Sequence, residues 1–139
     1  MAKVINELSF TKELIKIPSV TPIDAGAINL VAKRLKSLGF KCSILNFKDK
    51  NTPAIKNLYA RLGTSSPNFC FAGHTDVVPT GNPKSWDVGP FSGIVKNGKI
   101  YGRGTSDMKG GIACFIAAVS EFIKDQKKGP IFQGPFYNL

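Results

Sequence analysis

Histidine occurs once in this sequence, tryptophan once, methionine twice and cysteine three times, and acidic residues number only 9. A lone histidine leaves one imidazole to serve as a base, and no Gly-x-Ser-x-Gly elbow accompanies it, which disfavours a serine hydrolase. Cys42, Cys70 and Cys114 are an odd set without paired spacing, so neither a disulfide framework nor a cysteine zinc cluster is expected. Cysteine usage of this kind points to a reducing, cytoplasmic setting. No run approaches the ~20 apolar residues of a membrane-spanning helix. The start, Met1-Ala2-Lys3-Val4-Ile5-Asn6, leads into polar sequence and not into the apolar core of a signal peptide. The expectation is a soluble chain without internal repeats or low-complexity segments.

What is present supports a folded chain. Of 139 residues, 42% are hydrophobic, and the 10 Phe and 3 Tyr sit among many Ile, Leu and Val. That is enough apolar surface to oppose chain entropy, for one modest core and no more. The 19 basic residues leave a net charge of +10, a balance that raises the question of nucleic acid or an anionic membrane. The lysines, such as Lys12, Lys16, Lys41, Lys56, Lys84 and Lys96, are scattered. A solvated surface is therefore expected, with no nucleic-acid or membrane partner.

Hydrophobic spacing predicts an amphipathic helix over residues 5–17, stopped by Pro18, and a second helix capped by Asp24 and ended by Gly39. In the latter, Ile28, Val31, Leu35 and Leu38 step by three and four. Residues 41–47 and 57–62 alternate roughly in twos and predict neighbouring strands across a turn-rich segment. The run Asn68-Phe69-Cys70-Phe71-Ala72-Gly73 is apolar on both faces and predicts a central strand covered by helices, with Cys70 packed in the core. Residues 77–96 are rich in Pro, Gly and Asn and read as a long loop, a candidate site segment. Asn97-Gly98 marks a turn and Lys99-Ile100-Tyr101 a short strand. A third helix follows, with Ile112, Phe115, Ile116, Val119, Phe122 and Ile123 on one face. The expected class is α/β, an incomplete three-layer catalytic domain whose mixed central sheet is covered by helices.

The chemistry concentrates at two strand-to-helix junctions. His74 follows the apolar run directly and stands two residues before Asp76. On extended backbone the two side chains share a face, so His74 can bind a metal while the Asp76 carboxylate orients the imidazole. A surface polar pair is the bland alternative. Asp107 lies within Gly102-Arg103-Gly104-Thr105-Ser106-Asp107-Met108-Lys109-Gly110-Gly111, where glycines let backbone approach a ligand. It could bridge two divalent cations, or merely cap the helix that follows. The glycine cluster matches neither the dinucleotide nor the phosphate-loop template.

Taken together, Gly73-His74-Thr75-Asp76-Val77-Val78-Pro79, Trp86, Gly89-Pro90-Phe91-Ser92-Gly93 and the run from Gly98 to Gly111 resemble the co-catalytic metallopeptidase family of aminoacylases, carboxypeptidases and deacylases. The resemblance runs from the first helix to about Pro130. It implies that His74 is a ligand of the first metal, that Asp107 bridges both, and that Asp76 is the catalytic residue holding the imidazole. It implies two divalent metal ions, zinc or zinc with cobalt, and hydrolysis of the amide of N-succinyl-L,L-2,6-diaminopimelate in lysine biosynthesis. Acetylornithine or a small peptide is the alternative substrate within the family; a non-catalytic basic binding fragment is the alternative outside it. A homodimer is implied for the full-length family member.

The family pattern continues into a strand ending in a Glu-Glu pair, one the general base and the other a metal ligand, whereas this chain reads Phe132-Gln133-Gly134-Pro135-Phe136-Tyr137-Asn138-Leu139. The three glutamates Glu7, Glu13 and Glu121 fall on predicted helices, and the only histidine is already assigned, so a dinuclear site is not expected to close within this chain. Residues 1–130 are thus expected to form the N-terminal part of the catalytic domain, and 131–139 an irregular tail left by a frameshift or truncation near Ile131, without a dimerisation domain. Weak metal binding and no measurable hydrolysis by the isolated chain are expected, with apolar sheet surface exposed.

Overall fold

The computed structural model describes residues 4–126; the tail expected at 131–139 lies outside the described residues. In chain order the elements are α1 (Glu7–Ile15), α2 (Ala27–Ser37), β1 (Lys41–Phe47), β2 (Ile55–Arg61), β3 (Ile94–Lys96), β4 (Lys99–Tyr101) and α3 (Gly110–Gln126). The architecture is α/β, as the sequence pattern predicts.

The boundaries of α1 and α2 have local causes. Asn6 caps α1 by accepting the Ser9 N–H at 2.9 Å through Oδ1, and Pro18 lies just beyond its last turn. The predicted helix over 5–17 is trimmed from both sides. Asp24 receives the N–H groups of Gly26 and Ile28 at 3.0 and 2.9 Å, which secures the start of α2. That helix ends in a left-handed Gly39 (φ 97°): the Phe40 N–H reaches the Leu35 carbonyl and the Gly39 N–H the Lys36 carbonyl, at 3.1 and 3.0 Å. These two bonds satisfy carbonyls that the helix leaves unpaired, and glycine takes the left-handed turn without a steric penalty.

The three helices bury their apolar stripes against one another. Phe10 and Leu14 of α1, Val31 and Leu35 of α2, and Ile112, Ala113 and Ile116 of α3 form one buried cluster with Leu38. Fully burying an aliphatic or aromatic side chain of this kind contributes about 1.5–3 kcal/mol. Arg34 fastens α2 to α1 by pairing with Glu13 at 2.6 Å and lying 5.5 Å over the Phe10 ring.

The strands form two separate antiparallel hairpins. β1 pairs with β2 from Lys41 opposite Arg61 to Phe47 opposite Ile55, and β3 with β4 from Ile94 opposite Tyr101 to Lys96 opposite Lys99. Asn97 and Gly98 both take positive φ (51° and 72°), the geometry of a tight hairpin turn. Pairing of β3 shortens the loop expected over 77–96.

The central strand expected at 68–73 is corrected by the structure. These residues make no ladder among the described residues, and Phe69 is 79% exposed. A strand exists only through partners that take its backbone hydrogen bonds, and here the run is covered on one side alone, where Phe71 stacks on Phe115 of α3 with ring centroids 4.3 Å apart. Cys70 is consequently exposed and not packed in the core. On α3, Phe122 is likewise 42% exposed, at the edge of the face expected to be apolar.

Candidate metal centre

Two junctions bring the site together. The first is the extended segment after residue 73, held by the loop that follows α1. Val20 and Val77 form a parallel bridge: the Val77 N–H donates to the Ser19 carbonyl at 2.9 Å and the Thr21 N–H to the Val77 carbonyl at 3.1 Å. The buried Ser19 hydroxyl adds a 2.6 Å bond to the Thr75 carbonyl. His74, Thr75 and Asp76 are therefore fixed on extended backbone, which sends His74 and Asp76 to the same face.

The second junction is the turn Thr105–Lys109 that leads from β4 into α3. Gly104 enters it with φ 86°, and a Cβ there would stand 2.6 Å from Val77 Cγ1. Only glycine fits so close an approach of the turn to the His74 segment. Inside the turn Asp107 (φ −130°, ψ 100°) leaves helical geometry, and its carboxylate is directed at His74. The turn is anchored from below by Lys109, whose ammonium is fully buried and donates to the carbonyls of Leu14 at 3.0 Å and Ile17 at 2.7 Å. Burial lowers the Lys109 pKa to about 8.

The two junctions meet at His74. Its Nδ1 lies 3.0 Å from the Asp76 backbone carbonyl and 3.4 Å from Asp76 Oδ1, and its Nε2 lies 3.0 Å from Asp107 Oδ1. A carbonyl oxygen only accepts, so Nδ1 must carry the proton of that bond. In the neutral ring the Nε2 lone pair then faces a carboxylate oxygen, two acceptors with nothing between them, and either a proton or a metal cation relieves that conflict. The Asp76 carbonyl and then the Asp107 carboxylate raise the His74 pKa above 6.5, against an opposing loss of hydration. A metal would compete with this proton, so its uptake strengthens as pH rises.

The donor set fits a metal. One imidazole nitrogen and one carboxylate oxygen are common zinc ligands, and two such atoms bound at about 2.1 Å to one tetrahedral ion lie about 3.4 Å apart. The observed separation is only a few tenths of an ångström shorter. Asp107 keeps 85% of its side chain exposed, leaving its second oxygen open to another ion. His74, Asp76 and Asp107 line an open depression of about 240 Å³ together with Val77, Gly104 and Arg103. Among the described residues no set of three or more His, Cys, Asp or Glu assembles into a complete metal-binding group. Glu7, Glu13 and Glu121 lie on α1 and α3, as the sequence pattern predicts.

Thr21, Lys109 and Arg103 were not marked as site residues by the sequence pattern. Thr21 donates its hydroxyl to Asp76 Oδ2 at 2.6 Å, and Arg103 lies 5.5 Å over the Trp86 ring at the rim. Thr21 sits in a segment that reads as a plain loop, and nothing local signals a partner far along the chain.

The model for Peptidase family M20/M25/M40 matches residues 70–132, the stretch that holds both junctions. The succinyl-diaminopimelate desuccinylase of Pelagibacter ubique is 54% identical over 123 residues, covering 88% of this chain and 32% of that protein. The enzyme of the same name from Rhodospirillum centenum is 53% identical and covers 88% and 31%. The chain thus spans about a third of the length of the curated relatives it matches. Among solved structures, human carnosine dipeptidase 1 superposes with a TM-score of 0.71 at 26% identity, over 86% of this chain and 28% of that one. The M20 family metallo-carboxypeptidase Sso-CP2 from Sulfolobus solfataricus superposes with a TM-score of 0.73 at 24% identity, over 88% and 28%, a likeness of fold. Along most of its length this chain therefore matches part of the succinyl-diaminopimelate desuccinylases, and its two site junctions lie in the segment that carries the Peptidase M20 pattern.

Proposed function

We propose that this chain carries one part of a co-catalytic metal centre that, in the complete protein, hydrolyses the amide of N-succinyl-L,L-2,6-diaminopimelate to succinate and L,L-diaminopimelate. The observation that carries the reading is the convergence of His74 Nε2 and Asp107 Oδ1 at 3.0 Å from two separate junctions. His74 and Asp107 would hold the metal, with Asp107 shared between two ions, zinc or zinc with cobalt. Bound there, the metal supplies Lewis acidity and a lowered pKa for bound water.

The protein's own groups prepare that site. Asp76 keeps the Nδ1 proton in place through its carbonyl at 3.0 Å, which directs the Nε2 lone pair towards Asp107. The Gly104 turn and the Lys109 anchor hold Asp107 beside it. The general base and the remaining ligands are supplied by residues beyond this set, so the chain alone binds metal weakly and hydrolyses nothing measurable. The relatives' printed names favour the succinylated substrate over acetylornithine or a peptide. A cytoplasmic homodimer that contacts neither nucleic acid nor membrane completes the proposal; no helix among the described residues is long and apolar enough to cross a membrane.

The test is to join residues 1–126 in frame to the remainder of the Pelagibacter ubique relative and assay release of succinate and of acetate from the two acyl substrates. The expected result is zinc-dependent succinate release, lost in His74→Ala and Asp107→Ala. Equal or faster turnover of acetylornithine would overturn the substrate assignment, and full activity in either variant would overturn the site.

A further inference from the structure

We infer that Thr21 is a positioning residue for the His74 imidazole, acting through Asp76. The inference rests on the proposed role of His74 as a metal ligand. The Thr21 hydroxyl donates to Asp76 Oδ2 at 2.6 Å, while Asp76 Oδ1 lies 3.4 Å from His74 Nδ1. One carboxylate is therefore held from both sides, with one oxygen on the hydroxyl and the other beside the ring. Without the hydroxyl, an Asp76 side chain that is 53% exposed would be free to rotate into water.

Thr21 is itself fixed by the backbone. Its N–H donates to the Val77 carbonyl at 3.1 Å, and Val77 returns a bond to Ser19 at 2.9 Å. The segment after α1 thus does two separable things. Its backbone and the Ser19 hydroxyl splint residues 75–77, and the Thr21 hydroxyl sets the carboxylate. A group that orients a metal-ligating histidine from outside typically changes metal affinity about 10- to 100-fold when removed.

Because the chain has one histidine, isotope-labelled histidine gives a single ring to follow. The experiment measures the carbon relaxation order parameter of that ring in the full chain and in Thr21→Val, Thr21→Ser and Asp76→Asn, with the Val77 amide as an internal reference. The expected result is a ring less ordered in Thr21→Val than in the parent, though still tethered by the Asp76 backbone carbonyl at 3.0 Å, the parent's order restored in Thr21→Ser, and an unchanged Val77 amide in both. Adding Thr21→Val to Asp76→Asn is expected to change the ring no further, since both act along one path. A ring as ordered in Thr21→Val as in the parent, or a Val77 amide that loosens alongside the ring, would overturn the inference and leave Thr21 a backbone splint only.

A second arm adds Co²⁺ and compares affinities. Thr21→Val is expected to bind about tenfold more weakly than the parent and Thr21→Ser within about twofold of it. If Co²⁺ leaves the ring signal of the parent unchanged, the metal reading of His74 fails, while the ring order measured without metal still decides the role of Thr21.

Discussion

The helical side and the strand side of this chain are built to different degrees of completion. On the helical side Phe10, Leu14, Ile112, Ala113 and Ile116 are at most 5% exposed, and the starts of α1 and α2 and the end of α2 have identifiable hydrogen-bond partners. On the strand side Phe69 is 79% exposed, Phe47 59% and Tyr59 57%, and the apolar run 68–73 has no ladder among the described residues. The contrast follows from how each element satisfies its backbone. A helix closes its hydrogen bonds within itself and needs packing on one stripe, whereas a strand depends on neighbours that are remote in sequence. The candidate metal centre stands at the border, with both junctions braced by the helical side: the loop after α1 grips the His74 segment, and Lys109 ties the Asp107 turn to the end of α1.

This difference can be broken experimentally. Leu14→Ala, which empties a fully buried position, should lower stability by about 2–5 kcal/mol in urea unfolding. A cost near zero would show that the helical side is not the core. Gly104→Ala should cost about 2–5 kcal/mol, from left-handed strain of about 1–2 kcal/mol plus about 1–3 kcal/mol for the clash with Val77. The same change should also separate the ring of His74 from Asp107, visible as loss of their close contact by NMR.

Lys109→Met would leave the Leu14 and Ile17 carbonyls without their donor and should cost about 1–3 kcal/mol at neutral pH. The pH dependence has a definite sign. With a pKa of about 8 when folded against 10.5 as the ordinary value, the unfolded chain holds more protons between those limits. This group therefore makes stability rise from about pH 8 towards 10.5. Lys109→Met should flatten that rise relative to the parent, and an identical slope in both would remove Lys109 as its source. The smallest effect belongs to the strand side: Phe69→Ser should change stability by no more than about 0.5 kcal/mol. A larger loss would mean that this face is covered after all.

Much of the helical side was legible because its signals are local. Asp24 and Gly39 bracket α2, Pro18 follows α1 and the stripe from Ile112 to Ile123 marks α3, since caps and periods act within a few residues. Asn97-Gly98 identified its hairpin for the same reason. The strand at 68–73 was misread because an apolar run states only that a strand would be buried if partners were present. At the site, His74 was legible from its place after the apolar run and two residues before Asp76, and Asp107 from its glycine-rich setting, and the structure brings them together. Thr21 was not, because its hydroxyl acts across 55 residues of chain, and neither was the burial of Lys109, since a lysine after Asp107 gives no hint that its ammonium turns inward to α1.

The most direct test of the metal assignment is a titration of Zn²⁺ into the chain labelled at its one histidine, near neutral pH and up to millimolar metal, in the parent and in Asp107→Asn. The expected result is a saturable shift of His74 Nε2, with Nδ1 keeping its proton, release of protons to solvent, and markedly weaker binding in Asp107→Asn. A His74 ring whose nitrogens are unmoved by zinc, or that binds it equally well without the Asp107 carboxylate, would contradict it.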